Sequence, residues 1–180
     1  PGLGARGQWS GADRAMEFIH AEVPESPAGS VFKYSDLNFI LLGEVVQVVT
    51  GERLDAYCRR AIFQPLGMRD TGFLPDPALL PRIAPTERQP DGGVLRGVVH
   101  DPTSRRMGGV AGHAGLFTTA EDLARYARMF LNDGELEGHR VLKPSTVRML
   151  TSVQTPPKLA VRRGLGWDID SPYSGPRGEV

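Results

Sequence analysis

Cysteine is almost absent from this chain of 180 residues, in which Cys58 is the only one. One cysteine excludes an internal disulfide framework and any zinc site built from several cysteines. Acidic and basic residues number 21 each, so no excess of charge favours nucleic acid or an anionic membrane surface as a partner. No stretch reaches the roughly 20 apolar residues of a transmembrane helix. Repeats and low-complexity tracts are also absent, so one globular domain is the simplest expectation.

The stretch from Val31 to Gly51 carries the strongest structural pattern in the chain. A short strand is predicted at 30–34, followed by a polar corner at 34–36 and then a helix that Gly51 ends in a left-handed conformation. Apolar side chains fill nearly all of 37–49 and leave only three polar positions for water. We therefore expect this helix to be buried and central.

The remaining pattern predicts an α+β chain. Capping residues and apolar spacing predict four further helices, beginning near Asp13, Leu54, Thr119 and Pro144. Strand character is found at 94–99 and 163–169, and a hairpin-like turn is predicted at 135–141. Between Gly72 and Gly115, repeated prolines interrupt every candidate helix, which predicts a long loop. This loop is either a lid or wall for a substrate, or an ordered surface excursion.

Ser30 and Lys33 satisfy the Ser-x-x-Lys pattern, in which a lysine activates a serine nucleophile. That chemistry needs a helix, where residues three apart share a face. Pro27 and Gly29 precede the pair and Phe32 lies within it, so the flanks favour a strand, on which the two side chains point to opposite faces. We interpret the match as coincidental, and keep a true dyad in a self-contained small enzyme as a weaker hypothesis.

The four histidines show no metal-binding spacing. His20, His100, His113 and His139 lack the i, i+4 and paired-cysteine arrangements that hold metals, so neither a metal site nor a cofactor is predicted. The Gly-x-Ser-x-Gly and phosphate-loop motifs are absent as well. Two loop segments, Val-His-Asp at 99–101 and Gly-His-Ala-Gly at 112–115, are the histidine-bearing candidates for a site.

Three long phrases carry a family resemblance. They are PAGSVFKYSDLNFILLGEVVQVVTG at 27–51, LDAYCRRAIFQPLGMRDTGF at 54–73 and GGVAGHAGLFTTAEDLARYARMFLNDG at 108–134. In this order they resemble the serine β-lactamase-like family, which includes class C β-lactamases, penicillin-binding-protein-like carboxypeptidases and esterases. The resemblance implies a β-lactamase/transpeptidase-like α+β fold, represented mostly by its helical part with a long loop and a partial sheet. It also implies a small-molecule or peptide substrate and an extracytoplasmic location, while the compartment and the oligomeric state are not fixed by the sequence.

In that family a Tyr-x-Asn element supplies the general base or proton relay, and by position Tyr34 matches its tyrosine. A tyrosine acts as a base only when a cation lies beside it, and the alternative is a packed strand tyrosine with a satisfied hydroxyl. Asp36 stands where the family has asparagine. A carboxylate cannot donate to a substrate carbonyl, so Asp36 is expected to hold the catalytic lysine. Ser35, between them, is either a helix cap or a substrate-binding residue.

The Val-His-Asp and Gly-His-Ala-Gly segments look closer to carboxypeptidase-like or esterase-like members than to true β-lactamases. The resemblance implies that His113 and the pair His100 and Asp101 line the cleft, where they bind a substrate carboxylate or order the long loop. The alternative for both histidines is a structural role in satisfying loop carbonyls.

Two family elements are missing from these residues, namely a helix-borne Ser-x-x-Lys and a Lys- or His-[Ser/Thr]-Gly strand. We therefore expect residues 1–180 to be an internal part of one catalytic domain, inactive by itself, with uncovered apolar surface at 37–49. The full-length protein is expected to be a serine hydrolase that cleaves an ester or amide, such as a D-Ala-D-Ala-type peptide, an ester or a β-lactam, through an acyl-enzyme. The alternative is a non-catalytic relative that binds cell-wall peptide or a protein partner.

Overall fold

The computed structural model describes residues 3–175, in which six α-helices alternate with short strands. The helices are α1 (Ala12–His20), α2 (Asp36–Thr50), α3 (Leu54–Cys58), α4 (Pro102–Arg106), α5 (Ala120–Leu131) and α6 (Pro144–Thr151). A π-helical turn, Arg59–Phe63, continues α3, and 3-10 turns lie at Leu3–Ala5 and Pro77–Arg82. Within 3–175, no helix is long and apolar enough to cross a bilayer.

The strands form four antiparallel pairs in the described part of the chain. They are β1 (Gly72–Phe73) with β4 (Leu116–Phe117), β2 (Glu87–Arg88) with β3 (Val94–Leu95), β5 (Glu135–Leu136) with β6 (His139–Arg140), and β7 (Arg162–Arg163) with β8 (Asp168–Asp170). The β1–β4 pair brings Gly72 opposite Phe117 and so closes the base of the long loop. The predicted hairpin at 135–141 is confirmed as β5–β6.

Three helix ends predicted from single residues are confirmed. Gly51 ends α2 with φ 70°, a left-handed conformation that glycine adopts without strain. Thr119 caps α5, because its hydroxyl accepts the Asp122 amide at 3.1 Å. Pro144 is the first residue of α6.

Two hydrophobic clusters form the core. The first joins the N-terminal segment and α1 to α2 and the loop after α4, and its buried members are Leu3, Trp9, Ala15, Met16, Ile19, Ile40, Met107 and Ala111. The second joins the end of α3 to α5 and β5, and its buried members are Phe63, Leu66, Met68, Met129 and Leu136. From α2, the first cluster takes Ile40 as a buried member and Leu37 as a partly buried one. Only the side of the helix that carries these two residues contacts the cluster.

The expectation that α2 is buried on nearly all faces is wrong for the structure described. Only Ile40 and Gly43 are buried in it, while Val48 and Val49 are 73% and 78% exposed. The reason is that no other element of residues 3–175 covers the outer face of the helix. The predicted uncovered apolar surface at 37–49 is confirmed, and it also includes the exposed side chains of Phe39, Leu41, Leu42 and Val45.

The strand predicted at 30–34 is an irregular segment, and within residues 3–175 no strand pairs with it. A turn replaces its beginning, because the Ser30 amide and hydroxyl both donate to the Pro27 carbonyl, at 3.1 and 2.6 Å. Lys33 forms an ion pair with Glu25, and this contact lowers the pKa of the Glu25 carboxyl. Ser30 and Lys33 therefore have separate partners, as expected if their match to Ser-x-x-Lys is coincidental.

Candidate active site

The polar corner that precedes α2 lines a small cavity. Tyr34, Ser35 and Asp36 form one side of this cavity of about 340 Å³, and Gly112 and His113 form another. Tyr34 is 63% exposed, and the centroid of its ring lies 5.3 Å from the centroid of the Tyr173 ring. The corner leads directly into a helix, so the first turn of α2 fixes where these three side chains emerge.

His113 is held by a hydrogen-bonded framework on the opposite side. Its Nε2 lies 2.9 Å from Asp101 Oδ1, and the side chain is only 4% exposed. The same Asp101 oxygen accepts the Ser104 amide at 2.6 Å, which makes Asp101 the N-cap of α4. The buried Ser104 hydroxyl donates to the Ala114 carbonyl at 2.9 Å. The start of α4 is thereby attached to the loop that carries His113.

A close backbone contact places that loop against α2. A Cβ atom on Gly112 would lie 1.9 Å from the Phe39 carbonyl oxygen and 3.0 Å from the Gly43 amide nitrogen. Only glycine allows this approach, because a real Cβ essentially never comes within 3.0 Å of another heavy atom. The contact brings His113, the next residue, beside the polar corner at the start of α2.

The framework gathers three possible ligands from three distant parts of the chain. One atom each of Asp36, Asp101 and His113 lie within 4.8 Å of one another, a set that could hold a metal ion. The Asp36 side chain makes no hydrogen bond or ion pair with any residue in 3–175. Sequence reasoning missed this cluster because its members share no local spacing, although each was predicted separately as a site residue.

His100 lies apart from the cluster. Its side chain is exposed, 3.7 Å from Glu87 Oε2, and it lines a larger cavity of about 890 Å³ on the long loop. Asp101 and His113 line this larger cavity as well, and His113 also lines the smaller one. Of the six predicted site residues, four line the small cavity, namely Tyr34, Ser35, Asp36 and His113. Asp101 contacts one of them, His113, and His100 does not line this cavity.

The two cations that line the small cavity are paired with carboxylates. Lys33 contacts Glu25, and Arg163 lies 3.4 Å from Asp168 Oδ2 with its guanidinium 5.3 Å from the Phe32 ring centroid. Arg163 was not predicted as a site residue, and its position on a β-strand far along the chain gave no signal. The cavity thus combines a phenol, paired cations and the unpaired Asp36 carboxylate.

Residues 1–178 match the Beta-lactamase family model. The chain belongs to the β-lactamase family. Relatives in this family include a protein of Escherichia coli K12 named "Putative D-alanyl-D-alanine carboxypeptidase", which is 34% identical over 175 residues. The match covers 87% of this chain and 39% of that protein. A protein of the same name from Salmonella schwarzengrund is 33% identical over 177 residues, which cover 86% of this chain and 39% of the relative.

Solved structures of this β-lactamase-like group share the fold. A penicillin-binding protein homologue from Caulobacter crescentus superposes with a TM-score of 0.70 at 22% identity, covering 90% of this chain and 48% of the other. A penicillin-binding protein from Bacillus halodurans gives 0.64 at 21%, covering 87% and 45%. The predicted β-lactamase/transpeptidase-like α+β fold is confirmed. The chain spans about two fifths of the length of the curated relatives it matches.

Proposed function

We propose that the full-length protein is a serine hydrolase that cleaves an ester or amide through an acyl-enzyme, with Tyr34 as the general base. The observation that carries this proposal is the position of Tyr34 beside Asp36 on a cavity at the head of α2, in a chain of the β-lactamase family. The proposed substrate class is a peptide of the D-Ala-D-Ala type, supported by the names of relatives at 34% and 33% identity.

The proposed reaction has two halves. The phenolate of Tyr34, stabilised by the catalytic lysine, takes the proton of the serine hydroxyl while the serine oxygen bonds to the substrate carbonyl carbon. The bond to the leaving amine or alcohol then breaks, the leaving group departs with that proton, and Tyr34 is again a phenolate. Water then attacks the acyl-enzyme by the reverse relay. We place the serine and its lysine on a segment beyond these 180 residues, since the chain matches only 39% of its relatives. Asp36 then holds that lysine by charge rather than donating to the substrate.

Labelling of the full-length protein tests this proposal. We expect a fluorescent penicillin or a fluorophosphonate to attach covalently, and we expect release of D-alanine from a peptide ending in D-Ala-D-Ala. Peptide mapping by mass spectrometry identifies the labelled serine, and heat-denatured protein is the control. Absence of both labelling and hydrolysis in correctly folded protein would reject the hydrolase.

The identity of residue 36 favours a second candidate function. Asp36 replaces the asparagine that the family uses toward substrate, so the protein could be a relative that binds cell-wall peptide without cleaving it. Isothermal titration with a peptidoglycan stem peptide distinguishes the two. Tight binding with no released product supports the non-catalytic relative, and product release supports the hydrolase.

A further inference from the structure

We infer that the larger cavity, on the long loop, binds an uncharged apolar group on the acyl side of the substrate, such as an octanoyl chain. This inference rests on the proposed hydrolase for its reaction, whereas the cavity itself is tested by binding. The cavity has a volume of about 890 Å³, within the range of sites that take drug-sized ligands. Its apolar lining comes from the 3-10 turn and the residue after it, from the segment before α4 and from β4, and includes Leu79, Ile83, Val98, Val99, Leu116 and Phe117.

Part of this apolar lining is in contact with water. Val98 and Leu116 are 45% and 48% exposed, and both line the cavity. Val99, next to Val98, is buried, so the exposed side chains stand on a packed base. Removing apolar surface from water is favourable roughly in proportion to its area. An apolar ligand that covers Val98 and Leu116 therefore gains free energy from a lining that is already formed.

The ionisable side chains that line the cavity already have partners, which argues against a charged ligand. Each carboxylate oxygen of Asp70 accepts a hydrogen bond from the Arg82 guanidinium at 2.8 Å. His100 lies 3.7 Å from a carboxylate on β2, and Asp101 Oδ1 lies 2.9 Å from His113 Nε2. A ligand carboxylate would have to displace Asp70 from Arg82 or lose its own hydration without a counter-charge. An uncharged apolar group meets neither cost.

His113 connects the larger cavity with the cavity that Tyr34 lines. This histidine lines both of them, and its side chain is buried and bonded to Asp101. A substrate with its scissile carbonyl beside Tyr34 therefore has the larger cavity next to it. The leaving group of the proposed D-Ala-D-Ala peptide is a single D-alanine, so the bulk of the substrate lies on the acyl side. The larger cavity thus belongs to the acyl group.

Two esters with the same leaving group test the inference in the full-length protein. We expect kcat/KM for p-nitrophenyl octanoate to exceed that for p-nitrophenyl acetate by at least about tenfold, because only the octanoyl chain buries apolar surface in the cavity. Val98→Asp should lower this ratio by at least about tenfold, since a carboxylate replaces part of the apolar lining. The matched control is Val94→Asp, at a valine of the same loop that is 49% exposed but does not line the cavity, and it should leave the ratio unchanged.

Calorimetry with 1-octanol tests the cavity without relying on hydrolysis, because this probe is uncharged and has no bond that a hydrolase cleaves. We expect saturable binding that Val98→Asp weakens by at least about tenfold and Val94→Asp does not weaken. Leu116→Asn, at the other exposed lining position, is the second variant, and melting curves check that all three variants fold.

The outcomes separate this inference from the proposed function. If neither ester is cleaved, the hydrolase is rejected, and octanol binding that Val98→Asp weakens still supports the apolar site. Wild-type protein that binds no octanol would overturn the inference, as would equal effects of Val98→Asp and Val94→Asp on octanol binding. Octanol binding with equal kcat/KM for the two esters would also overturn it, because the cavity would then not serve the acyl group.

Discussion

Asp101 joins His113 to the start of α4, because one of its carboxylate oxygens lies 2.9 Å from His113 Nε2 and accepts the Ser104 amide at 2.6 Å. The helix cap and the imidazole therefore share a single acceptor. A buried histidine between α4 and α2 is thus part of the packing as well as of the candidate site.

Removing the imidazole should weaken the fold. For His113→Ala we expect the free energy of unfolding of the full-length protein to fall by about 1–3 kcal/mol, because the Asp101 oxygen loses a partner and a buried side chain is deleted. His100→Ala, at an exposed histidine, should change it by less than about 0.5 kcal/mol. Urea titration measures both. Equal effects of the two substitutions would contradict the structural role of His113.

Tyr34→Phe tests the proposed base. Removing the phenol oxygen should lower kcat for an ester substrate by about 10²–10⁴-fold, the usual contribution of a positioned acid–base group. The substitution keeps the ring that packs against Tyr173, so stability should change little. Tyr57→Phe, on α3 and outside the cavity, is the matched control and should leave kcat unchanged. A Tyr34→Phe enzyme with wild-type turnover would remove Tyr34 from the mechanism.

Ser30→Ala should be nearly silent. The hydroxyl donates only to the Pro27 carbonyl in an exposed turn, and Lys33 is engaged with Glu25. We expect less than about a twofold change in turnover and a change in stability within about 0.5 kcal/mol. Labelling by a fluorescent penicillin should also persist. Labelling that disappears in Ser30→Ala would instead establish the Ser30–Lys33 dyad as the reactive pair.

Gly112→Ala should disturb the junction between the loop and α2. The new methyl group would lie 1.9 Å from the Phe39 carbonyl oxygen, and backbone must shift to admit it, at a cost of about 1–3 kcal/mol. Gly4→Ala is the control, because nothing lies within 4 Å of its added Cβ. Thermal melting of the two variants compares the costs. A Gly112→Ala protein as stable as Gly4→Ala would show that this approach is not tight.

Cys58 gives a prediction about pH. Burial raises the pKa of the Cys58 thiol above its ordinary value, so in the folded protein the reactive thiolate forms only at higher pH than in the unfolded chain. Alkylation of Cys58 by iodoacetamide at about pH 8.5 should therefore be slower in native than in urea-unfolded protein. Peptide mapping follows the rate across pH. Equal rates in both states at that pH would show that burial does not protect the thiol.

Much of the local structure was determined by the sequence. The Thr119 cap, the Pro144 start and the left-handed Gly51 each follow from the chemistry of one residue and its neighbours, and all were found where predicted. The family was evident as well, since its phrases are continuous in the chain. The prediction of a strand at 30–34 was wrong. β-forming side chains favour an extended backbone, but a strand also needs a partner strand with which to pair.

Tertiary structure alone decided burial and the assembly of the site. The apolar sequence of α2 predicts a covered helix, yet which faces are covered depends on what packs beside it, and most of its apolar side chains are exposed in residues 3–175. Asp36, Asp101 and His113 are far apart in the chain and share no spacing. They meet because Gly112 permits a backbone contact with α2 and Asp101 caps α4, and such contacts between distant segments leave no periodic signal in a sequence.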